Sequence, residues 1–279
     1  MALASYKAIG PMTLVLACLI SGRGLLAQST QIDPERDAEI EQCLSTGEIK
    51  KKTEPLEGVT RPVRVEIGCD GGTRNAAFKT LDVYRRGLTR LGDGSWEVNF
   101  ADTYRFERAA YLIDRELGLS MVPAAVIRTV RLQEGALVDW VPGASHERDL
   151  VPALTGSEIA ALADEKALMH LFDALIFNTD RNAKNWLIGS DRQSLYLIDH
   201  SRSFRASKVV PESFLSKRVW LTRQVYTNLV GLRRGRLIEL LDGLVQPGLV
   251  DALLSRRDQL LELIESACAE VGEDLVIRE

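Results

Sequence analysis

Histidine and cysteine are scarce in this chain. Three histidines and four cysteines occur among 279 residues, and no Cys/His group has metal-ligand spacing, which excludes a zinc-built scaffold. Basic charge is not in excess either. The formal net charge is −4, so the footprint of a nucleic-acid binder is missing. Internal repeats and low-complexity tracts are absent, which excludes solenoids and repetitive fibres. No apolar run is long enough for a comfortable membrane-spanning helix. What remains is ordinary globular material: 46% hydrophobic and 27% charged residues, enough for a sizeable core in one or two domains.

The first 27 residues have a texture of their own. They carry Lys7 and Arg23 and no acid, an apolar stretch from Pro11 to Ile20, and a small residue at Ala27 before Gln28. This pattern predicts a secretory signal peptide cleaved near Ala27, with an uncleaved anchor as the alternative. The expected location is secreted or periplasmic, with no stable membrane span after cleavage. The mature chain then keeps Cys43, Cys69 and Cys268, an odd number. Cys43 and Cys69 can form a bridge in an oxidising compartment, or all three can stay as thiols.

Residues 28–46 are polar and read as a loose arm or a first helix. Val63-Arg64-Val65-Glu66-Ile67 alternates apolar and charged side chains, which predicts a half-buried strand. Asp70-Gly71-Gly72 is a turn, and Ala76 to Leu81 the returning strand. A helix is expected from about Thr103 to Leu117, because Phe106, Ala109, Ala110, Ile113 and Leu117 share one face and Gly118 supplies a stop. Strands are expected over Val122–Val130 and Gly135–Val138. The pattern then turns helical. Glu165 to Phe177 forms a helix ending at Asn178, Trp186–Ile188 and Leu195–Ile198 form a hairpin, and helices follow from Pro211 with a break at Pro247-Gly248. Strands first and helices later predict an α+β chain.

The segment Asn178-Thr179-Asp180-Arg181-Asn182-Ala183-Lys184-Asn185 carries the chemistry. Phosphoryl transfer needs a carboxylate near the nucleophile, ligands for a phosphate-bound cation, and a positive side chain on the phosphates. Asp180 and Asn185 stand five positions apart, the separation between the acid and the metal-binding amide of a kinase catalytic loop. Asp180 would serve the acceptor hydroxyl, and Asn185 would offer Mg²⁺ a hard oxygen. Asp199, directly after an apolar strand, is the second expected metal ligand. Lys79, inside an otherwise apolar strand, is the expected phosphate cation, and Glu107 at the border of the helix face is its expected partner. Each residue alone reads equally well as a turn residue, a surface ion pair or a solvated charge. Together, in this order and on these elements, they point to one site.

Over Phe172–Asn182 and Leu197–Phe204, the sequence resembles the atypical kinases of the phosphatidylinositol 3-/4-kinase and Fam20-like group, in particular their bacterial, secreted branch. Glu107-Arg108-Ala109-Ala110-Tyr111, Leu117-Gly118-Leu119 and Gly58-Val59-Thr60 extend the likeness. Asn182 stands where those relatives have a histidine, and His200-Ser201 follow the metal aspartate. The resemblance implies a two-lobed protein-kinase-like fold, with a β-rich N-lobe over residues 47–142 and a helical C-lobe over 143–279. It implies that Gly58 and Thr60 lie in the loop covering the phosphates, and that Val138 and Trp140 belong to the hinge that meets adenine. Packing between lobes is the other reading of Trp140. Asp173 is expected to brace the loop, and His170 to be structural. The expected cofactors are ATP and Mg²⁺, with Mn²⁺ as a substitute. The expected acceptor is a hydroxyl of protein Ser/Thr, a lipid headgroup or a small molecule. A non-catalytic nucleotide-binding module, or pseudokinase, is the competing reading.

Overall fold

A computed structural model describes residues 34–55, 62–92, 94, 96–150 and 153–279. The expected signal peptide, the start of the arm, and Gly58 and Thr60 lie outside the described residues.

The first half is built on one antiparallel sheet. Helix α1 (Pro34–Thr46) leads into β1 (Glu48–Pro55), β2 (Val63–Cys69) and β3 (Gly72–Lys79). Next come β4 (Asp82–Arg90), β5 (Trp96–Thr103), α2 (Arg105–Leu117), β6 (Ala125–Val130) and β7 (Gln133–Asp139). The sheet order is β1-β2-β3-β7-β6, and β4 and β5 form a separate hairpin. Alternation decides the buried face of β2: Val65 and Ile67 are fully buried, whereas Arg64 and Glu66 lie at its border. Helix α2 covers the sheet with the stripe read from its spacing. Phe106, Ala109, Ala110, Ile113 and Leu117 are all buried, and Gly118 ends the helix in the left-handed conformation at φ 80°. Cys43 and Cys69 are disulfide-bonded, with 5.3 Å between Cα atoms, and Cys268 is free.

The second half is mostly helical. It comprises α3 (Glu147–Leu150), α4 (Gly156–Ile176), β8 (Trp186–Ile188), β9 (Leu195–Leu197), α5 (Glu212–Leu215) and β10 (Leu221–Thr222). It ends with α6 (Arg223–Gly231), α7 (Arg234–Leu240), α8 (Pro247–Val271), α9 (Glu273–Val276) and β11 (Ile277–Arg278). Helix α4 begins well before Glu165, because Thr155 and Glu158 form a reciprocal capping box. Pro247 opens α8 from its first turn instead of breaking a helix. Fully buried Arg256 of α8 holds the two halves of this region together. Its Nε donates to the Leu175 carbonyl at 2.8 Å and its Nη1 to the Arg205 carbonyl at 3.2 Å.

Candidate active site

Lys79 ends β3, which runs between β2 and β7 in the sheet. Beside it stands Gly135, where an added Cβ would sit 2.4 Å from the Lys79 carbonyl oxygen. Only glycine lets β7 approach this closely. The Lys79 side chain is buried, and so is Glu107 in the first turn of α2. Lys79 Nζ lies 2.5 Å from Glu107 Oε1 and 2.9 Å from Asp199 Oδ1. Burial alone would lower the lysine pKa, but the two carboxylates raise it. Burial would raise that of Glu107, and Lys79 and His200 instead hold it down to about 2. Lys79 and Glu107 are therefore both charged at neutral pH, as a phosphate clamp requires.

Asp199 follows β9 and sits at φ 65°, a left-handed backbone conformation that costs free energy in a non-glycine residue. Its carboxylate is 37% exposed and opens toward solvent. The preceding residue is fixed by Ile198 N donating to Asn185 O at 3.0 Å. Asn185 is buried, and its Nδ2 donates to the Asp180 carbonyl at 2.9 Å. Asp180 itself is exposed at the end of the loop after α4. Lys79, Glu107, Asp180, Asn185 and Asp199, separated by up to 120 positions, are thus joined by contiguous short contacts.

A second set of residues, less visible in sequence, holds this loop in place. Arg181 donates from Nε and Nη2 to both Asp173 oxygens at 2.9 Å. Its Nη1 reaches the carbonyls of Asn185 and, at 2.8 Å, Ile198. Its Nη2 also meets His200 Nε2 at 3.0 Å. Asp173 accepts from Asn178 Nδ2 at 3.1 Å, so it sits where a brace is expected. His200 is fully buried, with Nδ1 3.5 Å from Glu107 Oε2, and burial lowers its pKa. A polar chain therefore runs from the Lys79–Glu107 pair through His200 and Arg181 to the Asp180 loop. The sequence signal for it is a run of Asp, Arg and His around the two motifs, which reads locally as turn polarity. His170 is half-buried and lines a cavity of about 190 Å³ with Asp173, Arg181 and Lys217.

At the expected hinge, Val138 is buried in β7, paired with Ala77 on one side and Ala125 on the other. The amide of Trp140 donates to Asn75 O at 3.0 Å, and that of Asp139 to Ala124 O at 2.8 Å. Those two amides are spent within the protein, so a base at this edge would meet the indole or a carbonyl. The Trp140 ring is 37% exposed and stacked against Arg64 at 4.7 Å.

No protein-family model matches the chain. A Mycobacterium tuberculosis protein, Rv2133c, is 28% identical over 197 residues, covering 56% of this chain and 68% of that protein. Among solved structures, hydra Fam20 with sugar superposes with a TM-score of 0.65 at 16% identity, over 87% of this chain and 92% of that one. The Golgi casein kinase, solved also with Mn/ADP bound, gives 0.59 at 14–15% identity, over 88% of this chain and 79% of that one. The chain has the two-lobed, kinase-like α+β fold of the Fam20 kinases, matching the resemblance carried by its motifs.

Proposed function

We propose that this chain, with the fold of the Fam20 kinases, is an ATP- and divalent-cation-dependent phosphotransferase acting on a hydroxyl, with protein Ser/Thr as the acceptor. The observation that carries this reading is the buried Lys79 between Glu107 and Asp199, at 2.5 and 2.9 Å. A desolvated lysine held by two acids, one of them opening to solvent, is an arrangement suited to polyphosphate and is costly as mere scaffold.

The residues present fit a phosphate-bound cation. Asp199 offers an exposed carboxylate. Asn185 spends Nδ2 on the Asp180 carbonyl, which leaves Oδ1 as its hard donor. Among the described residues, no group of three or more His, Cys, Asp or Glu could hold a metal unaided, so phosphate oxygens would complete the coordination. Mg²⁺ is the expected ion, and the Mn/ADP bound to the Golgi casein kinase makes Mn²⁺ a reasonable substitute. Such an ion, held by Asp199 and Asn185, would supply charge neutralisation to the phosphates.

The protein's own groups do the remaining work. Lys79, oriented by Glu107, binds the phosphates. Asp180 orients the acceptor hydroxyl and takes its proton as the oxygen joins phosphorus and ADP departs. Arg181 holds the Asp180 loop against the strand end that presents Asp199. Gly58 and Thr60 are assigned to the phosphate-covering loop, and Val138 and Trp140 to the adenine edge. A signal peptide over residues 1–27 would place this activity outside the cytoplasm.

Transfer of labelled phosphate to a Ser/Thr peptide mixture, with Mg²⁺ or Mn²⁺, tests the reading. Asp180→Asn and Asp199→Asn should each lower the rate by at least about a hundredfold without loss of folding. Wild-type rates in either variant would remove the assignment. A nucleotide-dependent thermal shift without any transfer would favour the pseudokinase reading.

A further inference from the structure

The β4–β5 hairpin is built inside out. A two-sided antiparallel ribbon on a soluble protein normally turns its apolar side chains inward and its polar ones to water. Here the register pairs Leu88 with Val98, Thr89 with Glu97 and Arg90 with Trp96. Period-two alternation then sets Leu88, Arg90, Trp96 and Val98 on one face and Thr89 and Glu97 on the other. The polar face points into the protein. Thr89 is buried, and Glu97 is met by Arg202 and Arg205, both at 3.3 Å. The apolar face points out: Leu88 is 63%, Trp96 60% and Val98 62% exposed, with Tyr84 at 48%. Two exposed arginines, Arg86 and Arg90, border it, whereas Arg85 lies over the ring of its cross-strand partner Phe100 at 5.9 Å, beside Arg202. Asp82, two residues before Tyr84, is exposed at the base of the hairpin, and among the described residues no carboxylate lies on the outer face of its distal half.

We infer that this outer face docks on an anionic lipid surface, with Leu88, Trp96 and Val98 entering the interfacial layer and Arg86 and Arg90 engaging phosphate headgroups. Charge complementarity selects this occupant. An arginine fringe around aromatic and aliphatic side chains matches the two layers of a membrane interface. A second copy of this acidic chain offers no such layering, and a ribbon two strands wide is narrower than the ~800 Å² each partner gives a standard protein interface. The apolar residues cluster toward the distal end of the hairpin, beside the connection between residues 90 and 96, which suits shallow insertion. The inference stands apart from the proposed phosphotransferase activity.

Vesicle binding by the full chain tests it. Wild type should bind vesicles of phosphatidylcholine mixed with phosphatidylglycerol at least about tenfold more tightly than phosphatidylcholine alone, and added salt should weaken that binding. Leu88→Ser/Trp96→Ser and Arg86→Gln/Arg90→Gln should each weaken it by about tenfold or more. Brominated lipid should quench the wild-type tryptophan fluorescence, and Trp96→Phe, which keeps an aromatic at this site, should abolish most of that quenching. The inference is overturned if the variants bind as wild type does, or if quenching persists in Trp96→Phe. It is equally overturned if the apolar face proves to be a dimer interface, seen in sedimentation as a dimer that Leu88→Ser/Trp96→Ser dissolves.

Discussion

Replacing Arg181 with lysine keeps the charge and removes the fork. The guanidinium is 6% exposed and Asp173 8%, so every contact is made in a largely dry setting. An ammonium placed there can satisfy one Asp173 oxygen and the Asn185 carbonyl. It gives up the second oxygen, at 2.9 Å, the Ile198 carbonyl, at 2.8 Å, and His200 Nε2, at 3.0 Å. At about 1 kcal/mol for each lost bond, the expected destabilisation of Arg181→Lys is about 3 kcal/mol. Arg181→Met strands a buried carboxylate as well and should cost about 4 kcal/mol. In Arg181→Met/Asp173→Asn the stranded charge is gone, so the double variant should lose about 1–2 kcal/mol less than the sum of its parts. Urea melts at neutral pH measure all three, and the melting temperature of Arg181→Lys should drop by about 6–12 °C. A loss below about 0.5 kcal/mol in Arg181→Lys, or strict additivity in the double variant, would refute the bracing role.

Other expectations follow from the buried acids. Glu107 has its pKa held to about 2 against an ordinary 4.5, so its contribution is present above pH 4.5 and lost as pH falls toward 2. Glu107→Gln should therefore cost about 2–3 kcal/mol at pH 7 and show a flatter acid limb in urea melts. Glu165 is the opposite case, since burial pushes its pKa from 4.5 up to about 7. The folded state keeps that proton longer, so stability declines as pH rises from 4.5 through 7. Glu165 keeps some solvent contact, so Glu165→Gln should remove a decline of about 2 kcal/mol, read as a higher urea midpoint at pH 8. Lys79→Met should abolish the nucleotide-dependent thermal shift, and an unchanged shift would remove Lys79 from the phosphate clamp.

The polar residues of the site were legible because their types are rare where they occur. A lysine in the apolar strand Ala76–Leu81 and an acid at the edge of the α2 stripe break a periodic pattern, and a broken pattern can be seen in one dimension. Of the supports, only Asp173 is legible. Arg181 and His200 sit among other polar residues, and only burial reveals that they meet Asp173 and Glu107 across the fold. Strand β1 was missed because its Lys50-Lys51-Lys52 run reads as solvated; it lies at the sheet edge, where lysines are tolerated. Strands β4 and β5 are not legible because a register shift between Arg85 and Leu88, with Gly87 and Asn99 in the left-handed region, interrupts their alternation. The start of α4 was missed although Thr155 and Glu158 announce it.

The disulfide between Cys43 and Cys69 has a topological consequence for the edge of the sheet. The two cysteines are 26 positions apart, and the chain between them closes into a covalent ring. That ring includes β1 and the segment with Gly58-Val59-Thr60. Helix α1 and strand β2 are therefore fastened to each other by a bond that a reductant can cut and a denaturant cannot. In a reducing compartment, the packing of α1 and the pairing of β1 with β2 alone would hold this edge of the sheet together.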